Sequence, residues 1–587
     1  MSERVNTMMI YPLQALMNTL TFSLITLANT LLNARTIRVL ILSTFSLYWL
    51  VLLHIPWPNS GDYGMNLPMN LLSWGIISLL GLIVWLLQRE KTVRFTPTGL
   101  LMLASAMLFT VPAFWSPHEA LPIALPRLVG IWGGALVYIT LLQQPIRENE
   151  TVALFYLLAA AAVIECTLSL AGFYCPQYLP FPLNSLAEIY DGHAPGIFQQ
   201  LNVTASFLAT GLAALLYLLA DTRRALYLPQ AERVRFVAIS VAIIVITATL
   251  VLFHSRIGWM GGITAIGCAS VLFAQARFRH RTTRWRRTLI ILLPVLGGLL
   301  STMILQQSVV ASLLHEGSNH QRWVTLAYTL RMIGVHPWQG WGLGMFESAF
   351  QLFMATLPGD NPSREMMQHP HNETLFIWAE GGVPALAGGV ALLLGWVILC
   401  RRRKNLWQWA ALLTTLPILL HTQVEFPLYY SVAHFFAVLL LMAASEGNAT
   451  AFTLRPALIR LPLVAITSYG IVLSFQLFSA SITLGNFETA RLADRQSITR
   501  LHVPWLMQMR YQRDITLLHL ANFNEHGDLA ELEMFMRSNA QWIKLHMEED
   551  AYNDQINILY FLNRHTEAEK LKTEAHRLMP WDDRFKP

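Results

Sequence analysis

Thirteen apolar runs of about 17 to 23 residues constrain this chain more than any other feature. They lie near 37–54, 70–88, 97–114, 127–143, 151–172, 202–220, 236–253, 257–276, 288–306, 384–400, 405–421, 427–445 and 457–479. A helix of that length crosses the ~30 Å hydrocarbon core of a bilayer, and within lipid only a helix or a closed barrel satisfies every backbone polar group. The 587 residues are 54% apolar and 13% charged, about half the charge of a soluble domain, so they cannot dress a water-facing surface of ordinary size. The expected fold is therefore all-α: a polytopic membrane protein of about 13 transmembrane helices.

Basic residues outnumber acidic ones, 41 to 35, but they sit in short clusters between apolar runs, which excludes a nucleic-acid surface. Arg89, Lys91 and Arg94, then Arg147, then Arg223 to Arg235, Arg277 to Arg287 and Arg401 to Lys404 fall in every second loop. By the positive-inside rule those loops are cytoplasmic, and the other loops and the C-terminal tail face outward. The four cysteines, Cys166, Cys175, Cys268 and Cys400, are too scattered for a disulfide framework or a zinc site.

The chain divides into an N-terminal segment (1–36), nine spans (37–306), a large outward loop (307–383), four spans (384–479) and a soluble helical domain (480–587). Residues 8–32 are apolar but interrupted by Asn18, Thr19 and Asn29, so they read either as an interfacial helix or as an extra span. Long loops on a membrane scaffold tend to carry function. In the C-terminal domain Thr566 and Glu569 form an expected capping box, with Ala568, Leu571, Ala575 and Leu578 as an apolar stripe. With the helix before it, this segment is similar to half of a tetratricopeptide unit.

Five outward stretches carry candidate chemistry. In His369-Pro370-His371-Asn372-Glu373, the proline and the later Gly381-Gly382 bracket a short helix that begins near His371 and stops at Gly381. A histidine at a helix N-terminus stays neutral and can accept a proton, as a general base must; the alternative is a simple helix cap. A metal site from His369, His371 and Glu373 lacks a supporting third-ligand spacing, so none is expected. In His254-Ser255-Arg256, a guanidinium at the membrane boundary suits a phosphate or pyrophosphate, or else snorkels to head groups. Gln200 and Asn202 offer neutral donors and acceptors to sugar hydroxyls or a phosphate ester, while Asn202 or Thr204 serve equally as helix caps. His421 and Glu425, four apart, form either an orienting pair or a structural hydrogen bond, with Tyr429 and Tyr430 beyond. In the large loop Arg322 is the better second anion contact, ahead of the turn-rich Trp338 to Gly344. Glu165 is the clear acidic residue deep in a span, and without an internal repeat it does not make a transporter.

These stretches resemble the bacterial O-antigen ligase and polymerase superfamily, and within it most the PglL-type protein O-oligosaccharyltransferases. The ligase pattern of His, then Asn, Ser or Gln, then Gly is met by His371, Asn372 and Gly382, with a departure at Ala385. Gly196 to Asn202, Trp338 to Gly344, His421 to Tyr430 and the tail after 480 resemble the protein-glycosylating branch. The resemblance implies an enzyme without metal or cofactor in a Gram-negative inner membrane, moving a glycan from undecaprenyl pyrophosphate to Ser or Thr of an exported, often pilin-like, protein in the periplasm. It further implies His371 as base, Arg256 and Arg322 on the pyrophosphate with Gln200 and Asn202, and Asn372, Glu373, His421, Glu425 and Tyr430 orienting the acceptor. The alternatives are transfer to lipid A core, as in an O-antigen ligase, or polymerisation.

Overall fold

The computed structural model describes residues 34–57, 64–88, 92–185, 194–305, 316–357, 361–447, 452–455, 459–489, 492 and 495–586. All thirteen apolar runs are helical. Ten helices, from Pro68–Leu87 to Arg460–Thr489, are long and apolar enough to span a membrane, and the shorter Arg38–His54, Leu406–His421 and Val432–Glu446 account for the other three. Residues 8–32 lie outside the described residues. Among these, the sheet is limited to Val93–Phe95 paired antiparallel with Phe452–Leu454, Arg94 opposite Thr453. The chain is thus a multi-pass, all-α membrane protein.

The helix Leu201–Ala220 is apolar on every face, and its residues from Val203 to Ala220 are all buried, so it must be wrapped by protein rather than by lipid. Glu148–Tyr174, Pro229–Leu252, Arg256–Ala274 and Leu416–His421 pack around it. At one end of this bundle the basic clusters meet. Arg281 bonds Asp221 at 2.6 Å, Trp407 Nε1 donates to the same carboxylate at 3.0 Å, Arg286 reaches Glu232 at 3.0 Å, and Arg224 pairs with Glu148. The five candidate stretches lie at the opposite end.

The expected stop at Gly381 occurs: a short helix from Glu373 ends there, Gly382 is non-helical at φ +62° and ψ −157°, and a second helix continues beyond this kink to Arg402. The kink frees backbone groups, and the Trp338 to Gly344 turn satisfies them: Val383 N–H donates to Trp338 O at 3.0 Å, Trp341 N–H to Ala379 O at 2.8 Å, and Gly342 N–H to Glu380 O at 2.9 Å. Gly340, at φ +71°, and Gly382 face each other backbone to backbone; a Cβ on either would strike a carbonyl of the other segment.

Beyond the last span, helices Gln508–His526, Leu529–Leu545, Glu549–Phe561 and His565–Leu578 form two successive hairpins. The stripe Ala568, Ala575 and Leu578 is buried in their core with Leu571 against it. The expected capping box is absent: the helix begins one residue earlier, at His565, and Glu569 accepts from the Tyr560 hydroxyl instead. Met547 N–H and His546 bond Glu347 of the large loop, at 3.0 and 3.3 Å, tying this domain to helix Phe346–Ala355.

Gly382→Ala should cost about 1–3 kcal/mol of stability, because its φ and ψ suit glycine alone. Gly267→Ala, with open space around its Cβ position, should be near neutral. Thermal unfolding of the two variants in detergent, followed by tryptophan fluorescence, checks this contrast.

Candidate active site

At the end of the bundle away from the basic clusters a buried carboxylate, Glu425, collects donors from two distant segments and from His421 one turn before it. Asn202 Nδ2 donates at 2.6 Å, Arg322 Nη2 at 2.9 Å, His421 Nε2 at 3.2 Å and Gln200 Nε2 at 3.3 Å. Burial alone would raise the pKa of this group, yet the hydrogen bond and charge of His421 and the charge of Arg322 hold it below the ordinary carboxylate range. With Nε2 donating to Glu425, the His421 ring accepts at Nδ1 from the Ser206 hydroxyl, 2.9 Å away. The i, i+4 pair therefore exists and orients the carboxylate.

Local sequence explains how Gln200 and Asn202 arrive there. Gln200, rather than Asn202 or Thr204, caps the central helix, accepting from Val203 N at 2.6 Å. Asn202 is left to bridge Glu425 and Ser255, whose hydroxyl donates to Asn202 Oδ1 at 2.7 Å. Ser255 caps the helix Arg256–Ala274, whose first residue, Arg256, is exposed at the edge of this network. The turn before the central helix is held from beneath by Glu165, which accepts from Ile197 N at 2.8 Å. At Gly196, φ +68°, a side chain would collide with that carboxylate. The acidic residue deep in a span is thus an anchor for the Gly196 to Asn202 turn.

His371 lies just before the helix start, at φ +54°, with Asn372 as the N-cap accepting from Leu375 N at 2.9 Å. Its neutrality comes chiefly from burial, which pushes its pKa down to about 4 against the pull of Glu425; neighbouring Arg322 and His369 add to the depression. Its Nδ1 is buried without a hydrogen-bond partner. His369 accepts at Nδ1 from the His371 N–H at 3.0 Å and so donates at Nε2 to Glu373, 3.4 Å away. Asn372 Nδ2 donates to Gln423 O, and Glu373 N–H to Thr422 O, each at 3.0 Å, which staples the His371 segment to the Glu425 segment.

The other side of His371 opens into a cavity of about 1650 Å³. His371, Glu373, Arg127 and Glu380 line it, whereas Gln200, Asn202, Arg256, Arg322 and Glu425 do not. Arg127 and Glu380 form an ion pair, and Arg127 lies over the Phe376 ring at 4.6 Å. Tyr429 donates its hydroxyl to Glu373, and the Tyr430 carbonyl accepts from Asn70 at 3.0 Å. The sequence signal for Arg127 was present but unused: a cation beside Pro126 at the end of a span away from the basic clusters. Among the described residues no three His, Cys, Asp or Glu side chains converge as a metal site.

Glu425→Ala should cut any activity of this site at least about tenfold, since it strands donors each worth about 1.5–3 kcal/mol when bonded to a charge. Glu425→Gln should recover part of the loss by keeping shape and one acceptor. Turnover of the purified variants measures both.

Three family models match the chain. Residues 241–390 match the O-antigen ligase model, which takes in Arg256, Arg322, His371 and the kink. Residues 409–577 match the model of the virulence factor membrane-bound polymerase, C-terminal region, which takes in Glu425 and most of the helical domain. Residues 194–219 match the protein glycosylation ligase model, which covers the Gly196 to Asn202 turn and the central helix. No curated protein matches. These ligase families imply glycosyl transfer, from lipid-linked glycan donors in general. With the multi-pass helical fold, the three matches support a member of the superfamily of O-antigen ligases and protein glycosylation ligases.

Proposed function

We propose that this protein transfers a glycan from undecaprenyl pyrophosphate to Ser or Thr of exported, pilin-like proteins, at the periplasmic face of a bacterial inner membrane. The observation that carries the reading is the position of His371, a buried imidazole with an open Nδ1, between a cationic and amide cluster on one side and a large cavity on the other. The gathering of basic clusters at the far end supports the orientation.

In the proposed reaction His371 takes the proton of the acceptor hydroxyl as its oxygen attacks the anomeric carbon. The bond from that carbon to the pyrophosphate oxygen breaks, and the pyrophosphate leaves with its charge met by Arg322 and Arg256. Arg322 is part-exposed and makes one bond to Glu425, so N–H groups remain for an anion. Gln200, Asn202 and Glu425 hold that pocket in shape, His421 orients Glu425, and Asn372, Glu373 and Tyr430 shape the acceptor side. The protein glycosylation ligase match and the C-terminal helical domain support a protein acceptor. The polymerase match supports a second reading, addition to another lipid-linked glycan.

His371→Ala should lower transfer about 100- to 10,000-fold with fold and donor binding retained. Because the ring is neutral until pH falls through about 4, kcat/KM should stay level from pH 8 to about pH 5.5 and drop below that; an ordinary histidine would already lose half its rate near 6.5. In a strain lacking the protein, complemented with wild type or His371→Ala, intact masses of pilin-like proteins and the lipopolysaccharide ladder test the reading. Only wild type should restore a glycan-sized mass, with the ladder unchanged; a collapsed ladder with unmodified proteins would establish the ligase alternative.

A further inference from the structure

The cavity behind His371 runs from Met102, Trp396 and Met442, well down the spans, up to Trp542 and Glu548 of the C-terminal domain. Its depth is apolar and its outer half is acidic. Six glutamates line that half: Glu347, Glu365, Glu373, Glu380, Glu488 and Glu548. Three arginines stand against them, and each is already ion-paired with one glutamate: Arg127 with Glu380, Arg510 with Glu488 at 2.7 Å, Arg513 with Glu548 at 3.0 Å. Among the described residues Glu347, Glu365 and Glu373 form no ion pair with a guanidinium: Glu347 faces His546, Glu373 faces His369 and is felt by Arg127 at longer range, and Glu365 is exposed.

We infer that this cavity is the acceptor cradle, and that its occupant is a membrane-held polypeptide with Lys or Arg close to the Ser or Thr that receives the glycan. The inference rests on the protein-acceptor reading above and deepens it. A pyrophosphate donor or a phosphorylated lipid core meets net repulsion in the acidic half, while a cationic chain meets attraction that needs no rearrangement of the existing ion pairs. The apolar depth receives the membrane-held part of the acceptor, and His371, on the cavity wall, meets the hydroxyl. The helix Gln508–His526 supplies part of the outer wall through Arg510, Arg513 and Asp514, so the C-terminal domain belongs to the binding site and is more than an appendage.

The test uses the full-length protein in vesicles with its lipid-linked donor and two synthetic acceptors. Each is an apolar helix of about 20 residues joined to a tail with one serine, flanked either by two lysines or by two glutamates. The lysine acceptor should show a KM about tenfold lower, and Glu365→Lys should shrink that preference several-fold through the acceptor KM rather than the donor KM. Equal KM values for the two tails, or a preference that survives Glu365→Lys, would overturn the cradle while leaving protein glycosylation standing. Transfer to lipid A core with neither peptide modified would overturn the protein-acceptor reading, and this inference with it.

Discussion

The end of the molecule away from the basic clusters is organised by one buried negative charge. A carboxylate removed from water must recover its hydrogen bonds from the protein, and Glu425 recovers four, from Gln200, Asn202, Arg322 and His421. Two of those donors lie more than 220 residues away along the chain, and Arg322 lies 103 away. Satisfying a single group therefore fixes the start of the central helix, the large loop and the end of the Leu406–His421 helix relative to one another. Asn202 carries the constraint on to Ser255, and so to the helix that begins with Arg256.

A second constraint acts through backbone rather than charge. The kink at Gly382 leaves peptide groups that would be costly in a buried setting, and the Trp338 to Gly344 turn meets them. That pairing holds the first two turns of the helix at an angle to the span that follows. His371 precedes those turns and Glu380 ends them, so the kink helps to set where both face the cavity. His371 belongs to both constraints, stapled through its neighbours Asn372 and Glu373 to the Glu425 segment and carried on the kinked helix.

Much of this was legible in the sequence, for identifiable reasons. Long apolar runs and alternating basic clusters are dictated by the bilayer itself, and all thirteen runs are helices. Gln200, Asn202 and Glu425 stood out as polar groups beside the ends of apolar runs, His371 at the start of a short helix and Arg322 in the large loop, and they converge. What was hidden depends on contacts between distant segments. A Gly-Gly pair reads locally as a helix stop, and the helix does break there, but the Gly340 turn that packs into the break cannot be read from local sequence. Choosing Gln200 over Asn202 as the cap required knowing that Asn202 was engaged by Glu425 and Ser255. Arg127 resembles a stray anchor until Glu380, 253 residues away, is placed beside it. The source of His371's neutrality is hidden for the same reason: burial is a property of the assembled fold, whereas a helix dipole follows from local sequence.

The central claim is that His371 separates an anion pocket from an acceptor cavity. A structure of the protein with a lipid-linked pyrophosphate bound would test it most directly. The pyrophosphate should lie against Arg322 and Arg256, on the Glu425 side of the imidazole, with the Arg127–Glu380 pair intact. A pyrophosphate seated in the cavity against Arg127, with that ion pair broken, would contradict the division of the site.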